Sequence, residues 1–172
     1  MRPQLFLNDG NAKFDEFVPL DAGDSFSASS LHRGRGLARL DWNRDGRDEF
    51  AVSHLDEPSA LATNQSEFQG ETLVLRFVGV ESHRDAVGVS AVASSERDSE
   101  GVRQFWLTAG DGYQASNERR IVIHAGDHME LWAVAVRWPS GREQVFRGLR
   151  PRREWLLREG VEFGIATLRP DN

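Results

Sequence analysis

Almost every apolar run in this chain is short, rich in Val, Leu, Phe and Trp, and broken off by Gly, Asn, Asp or Ser. Runs of about four to eight residues bounded by turn formers read as strands, because helices need longer segments with a 3.6-residue apolar period. The expected fold class is therefore all-β. Candidate strands cover 4–7, 14–18, 36–40, 50–54, 71–80, 86–94, 102–108, 119–124, 131–138, 143–147 and 154–158. Asn8-Asp9-Gly10-Asn11 reads as a hairpin turn between the first two, and 21–30 as a polar loop. In 131–138 both faces are mostly apolar, the mark of a central strand covered on each side, and Trp138-Pro139-Ser140-Gly141 closes it as a turn.

One short stretch departs from plain strand-and-turn chemistry. In Asp41-Trp42-Asn43-Arg44-Asp45-Gly46-Arg47-Asp48-Glu49, side-chain oxygens recur at every second position and a glycine follows. Calcium takes six to eight oxygen ligands, and Asp-x-Asn-x-Asp-Gly is also how an EF-hand loop begins. An EF-hand would need an acid at its twelfth position, which here is Val52, and helices on both flanks, whereas the flanks here alternate like strands. The reading is a calcium loop between two strands, with side-chain oxygens from Asp41, Asn43, Asp45 and Glu49 and the backbone carbonyl of Arg47. Gly46 supplies the left-handed backbone of the sharp turn. An Asx-rich turn that never holds metal is the competing reading.

Composition narrows the function. With 27 acidic against 21 basic residues the net charge is −6, which argues against nucleic acid as a partner. The arginines at 147, 150, 152, 153 and 158 read as a solvated face. There are no cysteines, so neither disulfides nor thiol chemistry enter. No apolar stretch approaches the roughly 20 residues of a membrane span, so membrane insertion is not expected. Phosphate-cradling loops, zinc-protease helices and nucleophile elbows are all missing, and the chain is read as non-catalytic.

Leu61-Ala62-Thr63-Asn64 with Phe68 echoes Leu5-Phe6-Leu7-Asn8 with Phe14, a faint repeat. Two domains are expected, 1–70 with the calcium loop and 71–172. Residues 36–52 resemble an FG-GAP or VCBS-type repeat, the blade of integrin-α-like propellers, although that family usually has Asp where Glu49 stands. The second region resembles the ASPIC/UnbV domain in three ordered pieces: residues 82–88 (Ser-His-Arg-Asp-Ala-Val-Gly), 109–116 (Ala-Gly-Asp-Gly-Tyr-Gln-Ala-Ser) and 136–141 (Val-Arg-Trp-Pro-Ser-Gly). The resemblance implies partial propeller-like repeat strands packed on or linked to an antiparallel β-sandwich. It also implies the C-terminal part of a longer protein, located extracellularly or in the periplasm or cell envelope, with an interaction or adhesion role and calcium as the cofactor. The partner would be a protein or a glycan.

Three further sets of residues stand out. Arg84, Asp85 and Tyr113 form a possible binding rim or, alternatively, a structural salt bridge and turn. His124, His128 and Glu130 read as loop or edge residues, since zinc would need further convergent ligands. Trp106, Trp132, Trp138, Trp155 and Tyr113 could stack on sugar rings, so a carbohydrate-binding module is the rival function; most of these tryptophans lie in apolar strands and are expected in the core.

Overall fold

The computed structural model describes residues 5–17, 33–65, 70–95, 102–126 and 130–167. The proposed loop at 21–30, Phe68 and His128 lie outside them. Within them the chain forms β1 (Leu5–Asn8), β2 (Phe14–Phe17), β3 (Gly34–Leu40), β4 (Glu49–His54), β5 (Ala60–Ala62), β6 (Glu71–Val78), β7 (Ser90–Ser95), β8 (Arg103–Trp106), β9 (Ile121–Gly126), β10 (Trp132–Arg137), β11 (Glu143–Leu149), β12 (Arg153–Arg158) and β13 (Ile165–Thr167), with no helix. The all-β expectation holds.

β1 and β2 pair as the expected hairpin, with Asn8 opposite Phe14. Its turn is built by Asx hydrogen bonds: Gly10 N–H donates to Asn8 Oδ1 and Asn11 N–H to Asp9 Oδ1. β3, β4 and β5 form a separate antiparallel sheet.

The remaining strands make two four-stranded sheets, in the orders β11-β10-β7-β8 and β13-β12-β6-β9. Their inner faces share one apolar core. Leu73, Leu75 and Phe77 of β6, Ile121 and Ile123 of β9 and Leu157 of β12 come from one sheet; Ala91, Ala93, Trp132, Val134, Val136 and Phe146 come from the other. Trp138 meets Phe77 edge-on, with ring centroids 6.1 Å apart. This is the sandwich expected for the second region, with one exception to its antiparallel character. β6 and β12 pair in parallel, from Arg153 beside Leu73 to Arg158 beside Val78. Parallel neighbours need a long connection, and here the connection carries the whole opposite sheet.

Two local expectations change. β10 is covered on one face: Trp132, Val134 and Val136 are buried, but Ala135 and Arg137 are exposed. Alanine on the outer face is what made the run look apolar on both sides, and a methyl group costs little to expose. The strand buried on both faces is β6, from Thr72 to Leu75.

The second change concerns 86–94, which starts with two tight turns instead of a strand. Ala86 and Gly88 have φ of 52° and 94°, and Ala86 N–H donates to His83 O at 2.8 Å before β7 begins at Ser90. These turns close tightly against the end of β6. A Cβ built on Gly79 would lie 2.3 Å from His83 O and 2.8 Å from Ser82 O, both backbone atoms that cannot step aside cheaply. Gly79→Ala is expected to destabilise the chain by about 1–3 kcal/mol, seen as a lower urea midpoint at unchanged m-value; an unchanged midpoint would refute the close packing.

Candidate functional site

The 41–49 loop lies between β3 and β4, and its oxygens are held by its own backbone. Asp45 N–H donates to Asn43 Oδ1 and Arg47 N–H to Asp45 Oδ1, while Gly46 N–H reaches Asp41 Oδ2 at 2.9 Å. Arg44 and Gly46 adopt φ of 63° and 86°, so the turn uses a left-handed arginine besides the expected glycine. Glu49 Oε2 accepts from Trp42 N–H, tying the end of the loop to its start.

Asp41 and Glu49 are buried to 1% and 0% exposure. Each has one oxygen, Asp41 Oδ1 and Glu49 Oε1, that is buried and receives no hydrogen bond. Leaving a buried carboxylate oxygen without a partner is costly, so these two atoms are the ones that fit a cation. Asp45 behaves differently. Its Oδ2 accepts from Arg47 Nε at 2.9 Å and from Asn43 Nδ2 at 2.8 Å. Among the described residues no three His, Cys, Asp or Glu side chains gather as a metal set. A calcium set here would therefore draw on Asp41 and Glu49 together with neutral oxygens such as those of Asn43 and the Arg47 carbonyl.

Electrostatics divide these acids. Burial pushes Glu49 above the usual carboxylate range, more than the Trp42 N–H lowers it. Asp48 is likewise raised, by burial, against the pull of Arg39. At Asp45 burial also acts upward, but the hydrogen bonds from Arg47 and Asn43 outweigh it and hold the carboxyl low.

The loop is also gripped from outside by residues the sequence reading missed. Arg120, only 5% exposed, sets Nη1 2.8 Å from Asp41 Oδ2 and Nε 3.1 Å from Glu118 Oε2, with Asp48 Oδ1 at 3.9 Å. Glu118 accepts the Asp41 N–H at 3.0 Å and pairs with Arg44. Beside it, Arg39 N–H donates to Asn117 Oδ1, and Glu118 N–H donates to Arg39 O. Residues 117–120 thus cover the open edge of β3, a common protection for an edge strand, and fasten the three-stranded sheet to the sandwich through polar contacts.

A second polar cluster sits at the far end of β6. Glu159, 2% exposed, receives the N–H groups of Val80, Glu81 and Ser82 on one oxygen, at 2.7, 2.9 and 2.7 Å. Its other oxygen takes the hydroxyls of Ser82 and Ser140. Ser82 Oγ in turn accepts the Ser140 N–H at 3.1 Å. One buried carboxylate therefore ties the 82–88 and 136–141 segments together.

Residues 79–162 match the family model described as ASPIC and UnbV. The match spans just under half of the chain, from the turn after β6 to the residues after Glu159, and takes in all three segments on which the resemblance was drawn. No curated protein matches the chain. Residues 36–52, on which the FG-GAP or VCBS resemblance was drawn, lie outside that match; structurally that stretch is β3, the loop and the start of β4, in a sheet of three strands among the described residues.

The remaining sequence candidates fall in several places within and beside the matched region. Arg84 and Asp85 line a cleft together, whereas Tyr113 is absent from its lining and is exposed near Gly36 of β3. His124 is exposed on β9. Trp132 and Trp138 are in the core and Trp155 packs against it, as expected, but Trp106 is exposed on β8. Trp42 is also exposed, but it lies in the loop between β3 and β4, whereas Trp106 is on β8 of another sheet. No helix among the described residues is long and apolar enough to cross a membrane.

Proposed function

We propose that the chain is a non-catalytic interaction module, stiffened by a calcium ion in the 41–49 loop and working in an extracellular or cell-envelope setting. The observation that carries the calcium part is the pair of buried, unpartnered oxygens on Asp41 and Glu49. Bound there, calcium would give those two oxygens the partner they lack and hold the ends of the loop together. Asp41 and Glu49 would be its charged ligands, with Asn43 and the Arg47 carbonyl adding neutral oxygens; Asp45 would join them only by giving up its bonds to Arg47 and Asn43. The interaction role rests on the ASPIC/UnbV match and on a structure whose buried acids, Asp41 and Glu159, are engaged in holding segments together. An external setting suits such a loop: at a dissociation constant of order 10⁻⁴ M it would fill at millimolar calcium and stay empty at submicromolar levels.

Thermal unfolding in EDTA and across a calcium titration tests this. Millimolar calcium is expected to add about 1.4 kcal/mol, raising Tm by about 3–5 °C for a chain of this size. Glu49→Gln keeps the acceptor for Trp42 N–H but removes the charge, and is expected to abolish the rise, as is Asp45→Ala. A calcium-independent Tm in the folded wild-type chain would reduce the loop to an Asx-built turn.

A further inference from the structure

β9 begins only at Ile121, opposite Leu75. The last three residues of β6 thus have no β9 partner on that side, and the gap opens as a cleft of about 260 Å³ lined by Arg76, Phe77, Val78, Arg84, Asp85 and Arg119. Three guanidinium groups share this space with a single carboxylate. Asp85 pairs with Arg119, and Arg76 is drawn toward Glu154 at 3.4 Å. Arg84 has no carboxylate within ion-pair distance among the described residues. In a chain with a net charge of −6, this local excess of positive charge stands out from its surroundings.

We infer that the cleft binds an oxyanion, the carboxylate, sulfate or phosphate group of a small ligand, with Arg84 as its principal partner and Arg76 and Arg119 flanking it. Guanidinium is suited to this because its planar fork engages two oxygens of a carboxylate or phosphate at once. Val78, half-buried, supplies the apolar part of the lining, while the Phe77 ring faces the core against Trp138. Asp85 acts as an internal competitor that holds Arg119 until the ligand arrives. The inference does not rest on the calcium loop: Arg119 lines the cleft, whereas its neighbours Glu118 and Arg120 bond to Asp41.

The test is a nuclear magnetic resonance titration of the full chain with sulfate, phosphate and glucuronate, each balanced with chloride to constant ionic strength. Saturable shifts at 76–78, 84–85 and 119 are expected, with a dissociation constant of order 1 mM. Tighter binding of glucuronate would assign the cleft to carboxylated sugars or acids, and tighter binding of sulfate or phosphate to tetrahedral anions. Arg84→Gln, at an exposed and unpaired position, should leave the fold intact and weaken binding about tenfold. Asp85→Asn should tighten it by freeing Arg119. Shifts that never saturate, or an affinity unchanged in Arg84→Gln, would overturn the assignment.

Discussion

Replacing Arg120 by methionine is expected to destabilise the protein by about 3–5 kcal/mol, because it strands a buried charge. Asp41 would keep only the Gly46 N–H on Oδ2, at 1% exposure, with Oδ1 already bare. Glu118 would lose a partner as well, though Arg44 still neutralises it. A Tm lower by about 6–20 °C should follow. Lysine is not an adequate substitute, since one ammonium cannot reach Asp41, Glu118 and Asp48 with the spread that three guanidinium nitrogens provide. Combining Arg120→Met with Asp41→Asn should recover part of the loss, because the charge that was stranded is gone. If Arg120→Met unfolds within about 1 kcal/mol of the wild type, the ion pair is not buried in solution and the fastening of the β3–β5 sheet must lie elsewhere.

Glu159→Gln is the second large effect, at about 3 kcal/mol near neutral pH. Burial by itself would push this carboxyl up, but hydrogen bonds from Ser140, Ser82 and Val80 override it and bring it down to about 2, from an ordinary 4.5. A carboxylate surrounded only by donors accepts from all of them, whereas an amide presents an NH₂ group to some and loses those bonds. The sign of the pH dependence follows from the depressed value. The ionised carboxylate stabilises the fold fully above pH 4.5 and loses that contribution as pH falls toward about 2. Glu159→Gln should therefore lower Tm by about 6–12 °C at pH 7 and flatten the loss of stability between those two pH values. Parallel acid-unfolding curves for wild type and variant would show that the cradle does not hold the charge.

The two clusters differ in how legible they were. The 41–49 loop announced itself because its oxygens and glycine lie close together in sequence, and hydrogen bonds from the Asp45 and Arg47 N–H groups fix the side chains of Asn43 and Asp45. Asp45, however, turns one oxygen to Arg47, which spacing alone does not forbid. Glu159 carried no such signal, being one acid among 27 with its donors 77 to 79 positions away for the main-chain group and 19 for Ser140. The segments it joins were singled out by resemblance, yet nothing in them names the carboxylate that links them. Arg84 and Asp85 were noticed as a pair, but Arg76 and Arg119 joined them only because β9 begins at Ile121.

What the sequence determined by itself is the local part: the all-β character, most strand positions, the hairpin at 8–14, the oxygen-rich loop and the ASPIC/UnbV-type segments. Strand propensity, turn chemistry and loop spacing act between near neighbours, so they can be read in order along the chain. The tertiary structure alone decided that β6 pairs in parallel with β12, that β10 leaves one face open, that Arg120 reaches Asp41 across 79 positions, and that three arginines share one cleft. Those outcomes depend on which distant segments come together when the core closes, and charge pairing between distant positions leaves no periodic trace in the sequence.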